Sequence, residues 1–394
     1  MKIALLTDGI QPYVMGGMQK HSFCLAKYLA SHRIFVDLYH TPLFGKRTSE
    51  MELLSCFTEN EKKYIRGFLI DFPKFIPLPG HYLRESYRHS CLVYDLFSNN
   101  GPVDFIYAKG FTSWKLVEEK IKGKKIPPLG VKFHGYEMFQ KSTSLYEKIN
   151  RFAFLQSPVK FISQNADFVF SYGGKITELI RSLNVQFKNI IEIPSAVEAD
   201  WLIQSAPIVK KPRKFIFVGR FERRKGIEEL SQAINKCEKW ASENREKDAG
   251  NEFQFHFVGP IPQRKRIVSS YVHYSGPISN SEKMKRLLSD SDLLVCPSYS
   301  EGMPNVILEA MSRGLAIIAT DVGAVNCLVN SENGILLKNC SVKNIHEAII
   351  EAILLPEEKL LQMKINSIKK TDEYFIWEKV IQQLIFELKR ITGK

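Results

Sequence analysis

Short apolar runs alternate with segments of helical period along most of the chain. Lys2–Thr7, Arg33–Tyr39, Val103–Ala108, Leu129–Phe133, Phe168–Ser171 and Ile190–Ile193 read as strands, several of them near-continuous in Val, Ile, Leu and Phe as buried parallel strands are. Between them Met18–Ala30 sets Leu25, Ala26 and Leu29 on one helical face, and Tyr82–Ser98 and Ser144–Asn165 are predicted helices. Residues 41–80, with Pro73, Pro77, Pro79 and Gly80, are expected to be irregular, and Trp201–Arg213, with Pro207 and Pro212, reads as a linker. The rhythm then restarts. Phe215–Val218, Phe253–Val258, Val272–Tyr274, Leu293–Cys296 and Ala316–Ala319 are predicted strands, with helices over Gly226–Lys239 and Ser281–Leu288. The terminal run Glu373–Arg390 carries Trp377, Val380, Ile381, Leu384, Ile385 and Leu388 on one face. Such alternation argues for parallel α/β domains. The 394 residues have room for two, placed at 1–200 and 201–372, with a final helix over 373–394.

Bulk properties narrow the classes. Hydrophobic content of 44% and charged content of 25% are those of a globular chain, and no apolar run approaches bilayer length. Ile3–Leu6 is too short for a signal peptide, and Asp8 follows it closely. The seven cysteines are scattered, with no C-x-x-C pair, which predicts reduced thiols and a cytoplasmic setting. The net charge of +13 divides into +7 over residues 1–200 and +6 over the rest, so no basic tail exists. Without a nucleic-acid motif, the expected partners are a phosphorylated ligand or an anionic membrane surface. The stretch from Lys62 to Arg88 interleaves Lys62, Lys63, Arg66, Lys74, Arg84 and Arg88 with Tyr64, Phe68, Phe72, Phe75, Tyr82 and Tyr87, and is the expected contact with such a membrane surface.

The densest chemistry lies in Pro297–Gly323, PSYSEGMPNVILEAMSRGLAIIATDVG. Pro304 and Asn305 mark a helix start, Val306, Ile307, Ala310 and Met311 give it an apolar face, and Gly314 ends it. Glu301 therefore sits in the loop before the helix and Glu309 about one turn inside. A helix N-terminus suits a phosphate and flanking carboxylates accept hydrogen bonds from hydroxyls, a combination that suggests a sugar nucleotide. The full string resembles the donor-binding signature of retaining glycosyltransferases, in particular glycosyltransferase family 4. The resemblance extends over most of the chain but is specific mainly between residues 215 and 335. It departs at Pro194-Ser195-Ala196, where the family tends to have Pro-Asn-Gly.

The resemblance implies a GT-B architecture: two Rossmann-like domains facing across a cleft, acceptor in the first and donor in the second, with the terminal helix crossing back to the first. It assigns Glu309 to ribose hydroxyls, Glu301 to donor-sugar hydroxyls, Arg220 and Lys225 to the diphosphate, and the backbone of Gly302, Met303, Pro304 and Asn305 to their support. The two cations follow the strand Phe215–Val218, where fixed positive charge stabilises a departing nucleoside diphosphate. Arg223 and Arg224 between them are read as solvated neighbours. Gly16 and Gly17 before the first helix, and His134 after the strand Leu129–Phe133, would add contacts to the donor. His21 is left as structural, and Glu137 stays open as a ligand contact without an assigned role. Asp290-Ser291-Asp292 imitates an Asp-x-Asp metal motif, but its place between a helix and a strand assigns it to a turn. The expected activity is metal-independent and cofactor-free transfer of a hexose from a nucleotide sugar, UDP before GDP, to a glycan or lipid-linked acceptor. Its setting would be cell-surface polysaccharide or glycolipid synthesis, cytoplasmic or peripheral on the membrane. A UDP-sugar epimerase and a non-catalytic sugar-nucleotide or glycan-binding protein stay open as alternatives.

Overall fold

The computed structural model describes residues 1–14, 16–41, 49–141, 154–209, 211–244 and 252–394. The chain forms two compact units, one comprising Met1–Phe139, Leu145–Ser195 and Trp377–Lys394, the other Gln140–Ser144 and Ala196–Ile376. The junctions thus fall at 195/196 and 376/377, a few residues from the 200/201 and 372/373 expected above.

The first unit is a seven-stranded parallel sheet of β1 (Lys2–Leu6), β2 (Phe35–His40), β3 (Ile65–Leu69), β4 (Phe105–Lys109), β5 (Leu129–Lys132), β6 (Phe168–Ser171) and β7 (Ile190–Glu192). Their order is β3-β2-β1-β4-β5-β6-β7. Helices α1 (Gly17–Ser31), α2 (His81–Ser98), α3 (Trp114–Ile121), α4 (Gln156–Asn165) and α5 (Lys175–Ser182) connect them. The expected helix 144–165 is described only from 154 onward. The stretch 41–80 is not wholly irregular, because β3 lies within it. Gly67 and the exposed Arg66 deny it the apolar run that marks the inner strands, and among the described residues it pairs only with β2, where Arg66 holds Asp37 through two hydrogen bonds of 3.2 and 3.0 Å.

The second unit is a six-stranded parallel sheet, ordered β10-β9-β8-β11-β12-β13. Its strands are β8 (Arg213–Val218), β9 (Phe253–Val258), β10 (Val272–Gly276), β11 (Leu293–Cys296), β12 (Ala316–Thr320) and β13 (Gly334–Leu337). Helices α6 (Ile227–Glu243), α7 (Ser281–Ser289), α8 (Asn305–Ser312), α9 (Val342–Leu354) and α10 (Glu357–Tyr374) complete it. Ile307, Leu308 and Met311 of α8 are wholly buried, each such burial contributing about 1.5–3 kcal/mol. The last helix, α11 (Trp377–Thr392), belongs with the first unit: Trp377 stacks on Tyr28 of α1 at 5.5 Å, and the Tyr28 hydroxyl donates to Glu378 at 3.1 Å. Among the described residues no helix is long and apolar enough to cross a membrane.

Candidate functional site

In each sheet the strand order reverses beside the first strand of its unit, between β8 and β11 in the second and between β1 and β4 in the first. Loops leaving the carboxyl ends on either side of such a reversal diverge and leave a crevice, the usual ligand position in open α/β sheets. The motif residues of the second unit lie on the two loops that flank its reversal.

After β8 the chain runs into a 3₁₀ turn, Arg223–Lys225, and then Gly226 at φ 66°, which caps α6. A Cβ at Gly226 would meet the Pro297 carbonyl at 2.1 Å and Cys340 Sγ at 2.4 Å, so glycine is what lets the two loops touch. The Tyr299 N–H donates to the Arg224 carbonyl at 2.7 Å and fastens them. Gly323, at φ 59°, approaches the Glu301 and Gly302 carbonyls in the same way, and the Ala324 N–H donates to the Gly302 carbonyl at 2.7 Å.

Glu301 is the centre of this arrangement. It is 5% exposed, Oε1 accepts from Lys225 Nζ at 2.5 Å and from the Ser298 hydroxyl at 2.7 Å, and Oε2 lies 3.7 Å from Arg224. Burial alone would raise its carboxyl pKa, but Lys225 and then Arg224 outweigh burial and hold it below the ordinary value. A buried ion pair is poor evidence for stability, since desolvation offsets most of the attraction. Arg224 also bonds Glu222 at 2.9 Å, so the two cations of the cluster are matched by two carboxylates. Met303 and Pro304 are buried, Pro304 caps α8, and Glu309 lies half-buried in the second turn of that helix. The Gln140 amide, which belongs with this unit, donates to the Glu301 carbonyl at 2.6 Å and accepts from the Glu301 N–H at 3.3 Å. No sequence signal marks Gln140, because its partner is backbone far along the chain.

The structure does not bring Arg220 to this cluster: its side chain is 72% exposed and pairs with Glu222 at 2.9 Å. Nor are Arg223 and Arg224 merely solvated. A 3₁₀ turn sends successive side chains in three directions. Arg223 grips Glu229 with two hydrogen bonds of 2.7 and 2.5 Å, Arg224 bonds Glu222 at 2.9 Å beside Glu301, and Lys225 reaches Glu301 directly. Asp292 is engaged elsewhere, pairing with Lys364 at 2.9 Å and accepting the Lys214 N–H at 3.0 Å. Among the described residues no three His, Cys, Asp or Glu side chains gather closely enough to hold a metal.

His134, Gly16 and Gly17 lie in the first unit. The His134 Nδ1 is 2.7 Å from the Tyr172 hydroxyl, and its Nε2 is buried with no partner among the described residues. Burial, with Lys109 and Lys132 nearby, pushes its pKa well below the ordinary value, so the ring is neutral. Tyr136, two residues on, has a left-handed φ of 51°, an uncommon strain for an aromatic residue. Gly16 has φ 160°, extended backbone open to any residue, and a Cβ there would meet chiefly the movable end of Gln19. Its glycine character is not a conformational need. His21 is not an isolated core residue: its Nδ1 lies 2.9 Å from Lys109 Nζ.

The Lys62–Arg88 stretch divides. Lys62 bonds Glu59 at 2.7 Å, Lys63 bonds Asn60 at 3.3 Å, Phe68 stacks on Tyr39, and Phe72 packs on His89. Exposed apolar side chains are confined to Phe75, Ile76, Leu78 and Tyr82, beside exposed Lys74, Arg84 and Arg88.

Residues 212–354 match the family described as Glycosyl transferases group 1. A Bacillus subtilis relative is 35% identical over 137 residues, 35% of this chain and 32% of its own. The N,N'-diacetylbacillosaminyl-diphospho-undecaprenol alpha-1,3-N-acetylgalactosaminyltransferase of Campylobacter jejuni is 28% identical over 234 residues, 57% of each chain. This chain therefore spans 32% and 57% of the length of these two relatives. An uncharacterised glycosyltransferase of Methanocaldococcus jannaschii aligns over 98% of both chains at 23% identity. Among solved structures, the sucrose-phosphate synthase of Thermosynechococcus elongatus superposes with a TM-score of 0.77 at 18% identity, covering 100% of this chain and 99% of its own. Anabaena HepE in complex with UDP gives a TM-score of 0.67 at 18% identity, covering 99% of this chain and 100% of its own.

Proposed function

We propose that this chain, which belongs to the glycosyl transferases group 1 and has the GT-B fold, transfers a hexose from a nucleotide diphosphate sugar to a glycan or lipid-linked acceptor with retention of configuration. The observation that carries this reading is the Lys225–Glu301 pair on two loops tied together at the strand-order reversal of the second unit. Lys225 and Arg224 face the diphosphate, whose charge grows as the glycosidic bond breaks, and Glu301 Oε2 accepts a donor-sugar hydroxyl. Glu309 takes the ribose hydroxyls, the backbone of Gly302–Asn305 supports them, and exposed Arg220 turns from Glu222 to the outer phosphate. His134, Gly16 and Gly17 keep the donor-contact role that the family resemblance gives them. Fixed cations supply the charge that a metal would, so the reaction is metal-independent.

A uridine donor is favoured by the UDP held in HepE, and a lipid-linked acceptor by the diphospho-undecaprenol substrate in the name of the Campylobacter relative. Thermal-shift screening of UDP- and GDP-sugars tests the reading, because a ligand of the folded state raises Tm. A rise with UDP-sugars supports it, and no rise with any nucleotide sugar overturns it. The cytoplasmic face of an anionic membrane is the proposed place of work, with Phe75, Ile76, Leu78 and Tyr82 as the contact and Lys74, Arg84 and Arg88 as its charge. Binding to anionic vesicles that is lost in Phe75→Ser/Ile76→Ser/Leu78→Ser supports this, and equal recovery with neutral vesicles contradicts it.

A further inference from the structure

The strand-order reversal of the first unit, between β1 and β4, has its own set of polar groups. Asp8 stands two residues beyond β1, in a loop held by the Thr7 hydroxyl, which donates to the Gly9 carbonyl at 3.0 Å and accepts the Gly9 N–H at 3.3 Å. Across the reversal, Lys109 ends β4 at 2% exposure. His21 of α1 touches Lys109, and Tyr82, at the start of α2, is close enough for Asp8 and Glu137 both to bear on its hydroxyl. Tyr82 is half exposed and packs edge-on against Phe111 at 6.0 Å.

Two atoms here are orphaned. Asp8 Oδ1 and His21 Nε2 are buried with no partner among the described residues. A buried polar atom without a partner is rare in folded proteins and is often explained by a ligand or solvent molecule that completes it. The missing group must donate to a carboxylate and lie beside a lysine, an imidazole and a tyrosine edge. An anion would be repelled by Asp8. A sugar hydroxyl can donate to the carboxylate and accept from the lysine beside it.

We propose that Asp8 binds the sugar acceptor, its free carboxylate oxygen accepting the hydrogen bond of an acceptor hydroxyl at the β1–β4 reversal, with Lys109 as counter-charge and His21 holding Lys109. This rests on the transferase reading but concerns the other substrate. The role is binding and orientation. Burial, only partly offset by its own N–H and by Lys109, raises the Asp8 carboxyl to about 6. Lys109 is lowered by burial to about 7 and held up by Asp8, so both are poised near neutrality. The other groups facing Asp8 are Thr7 and Tyr82. The ionised carboxylate is the stronger acceptor, so acceptor affinity falls as pH drops through about 6.

The test uses the full chain with octyl β-glucoside and octyl N-acetyl-β-glucosaminide as acceptor probes, followed by saturation-transfer NMR, and UDP as the donor-side probe, followed by calorimetry. The wild type should bind at least one glycoside at pH 7.5 and bind it about 10-fold more weakly after Asp8→Asn, the scale of one lost hydrogen bond to a charged group. The same variant should leave UDP affinity unchanged and raise Tm at pH 8, where Lys109, at about 7, has lost most of its charge and no longer offsets the buried carboxylate; a merely structural aspartate would lower it. Lys225→Ala should do the reverse, weakening UDP and sparing the glycoside. Glycoside binding unaffected by Asp8→Asn, or no glycoside binding by a wild type that binds UDP, overturns the proposal. Failure of the wild type to bind UDP counts against the transferase reading instead.

Discussion

The two strand-order reversals hold the same kinds of side chain in opposite states. At β8–β11 a carboxylate and two cations are already matched, with Lys225 and Ser298 on Glu301 and Arg224 beside it. At β1–β4 the carboxylate has one oxygen without a partner among the described residues, and the nearby lysine bonds a histidine. The consequence shows in the protons. Both carboxyls are penalised by burial, yet Glu301 lies below its ordinary value of 4.5 because Lys225 and Arg224 outweigh burial, and Asp8 rises to about 6 because its neighbours do not. Burial sets the size of the penalty, and the distance to the nearest cations decides its sign. A site that compensates its own charges is ready for a ligand carrying both phosphate and hydroxyls. A site with orphaned atoms is ready for a neutral polyol.

Lys225→Ala should break the comparison most severely, leaving Glu301 buried beside only Arg224 and lowering the transfer rate about 100-fold, as for loss of one transition-state contact. Arg224→Ala should cost more than Arg220→Ala, measured as kcat with saturating donor. The reverse order would mean that Arg220, once turned to the outer phosphate, carries more of the diphosphate charge than Arg224. Next in size is pH. Glu301 has a depressed folded pKa, so its contribution to stability is present above 4.5 and is lost as pH falls through the lower folded value. Asp8 has a raised one, so its contribution is present below 3.8 and is lost as pH rises through about 6. UDP affinity should therefore hold from pH 7.5 to 5 while glycoside affinity declines, which parallel titrations would show.

A smaller contrast is in the glycines. Gly226→Ala should destabilise by about 1–3 kcal/mol in urea unfolding, because the left-handed φ and the Pro297 carbonyl both oppose a Cβ. Gly16→Ala should change stability by no more than about 0.5 kcal/mol. The smallest expected effect is that of EDTA, which should leave the transfer rate unchanged. Loss restored by manganese would contradict the assignment of Asp292 to its ion pair with Lys364.

Much of this was legible in the sequence. Parallel strands buried on both faces announce themselves as apolar runs, and the Pro304–Asn305 helix start falls where the residue types place it. The edge strand β3 was hidden, because Gly67 and Arg66 interrupt the run that inner strands show. Glu301 and Lys225 were found by their place in the motif. Which of Arg220, Arg223 and Arg224 turns inward was not, since the 3₁₀ turn decides it and no composition reports a turn's phase. Asp8 and Gln140 were invisible for a further reason: a single aspartate after a first strand, or a glutamine in a loop, has meaning only once its distant neighbours are in place.

The most direct test of the central claim, that the Lys225–Glu301 pair holds a nucleotide-sugar donor, is calorimetric titration of UDP and UDP-glucose into the wild type, Lys225→Ala and Glu301→Gln. Lys225→Ala should weaken both ligands, and Glu301→Gln should weaken UDP-glucose more than UDP, because the carboxylate meets the sugar. Equal affinities for UDP-glucose across all three proteins would contradict the account.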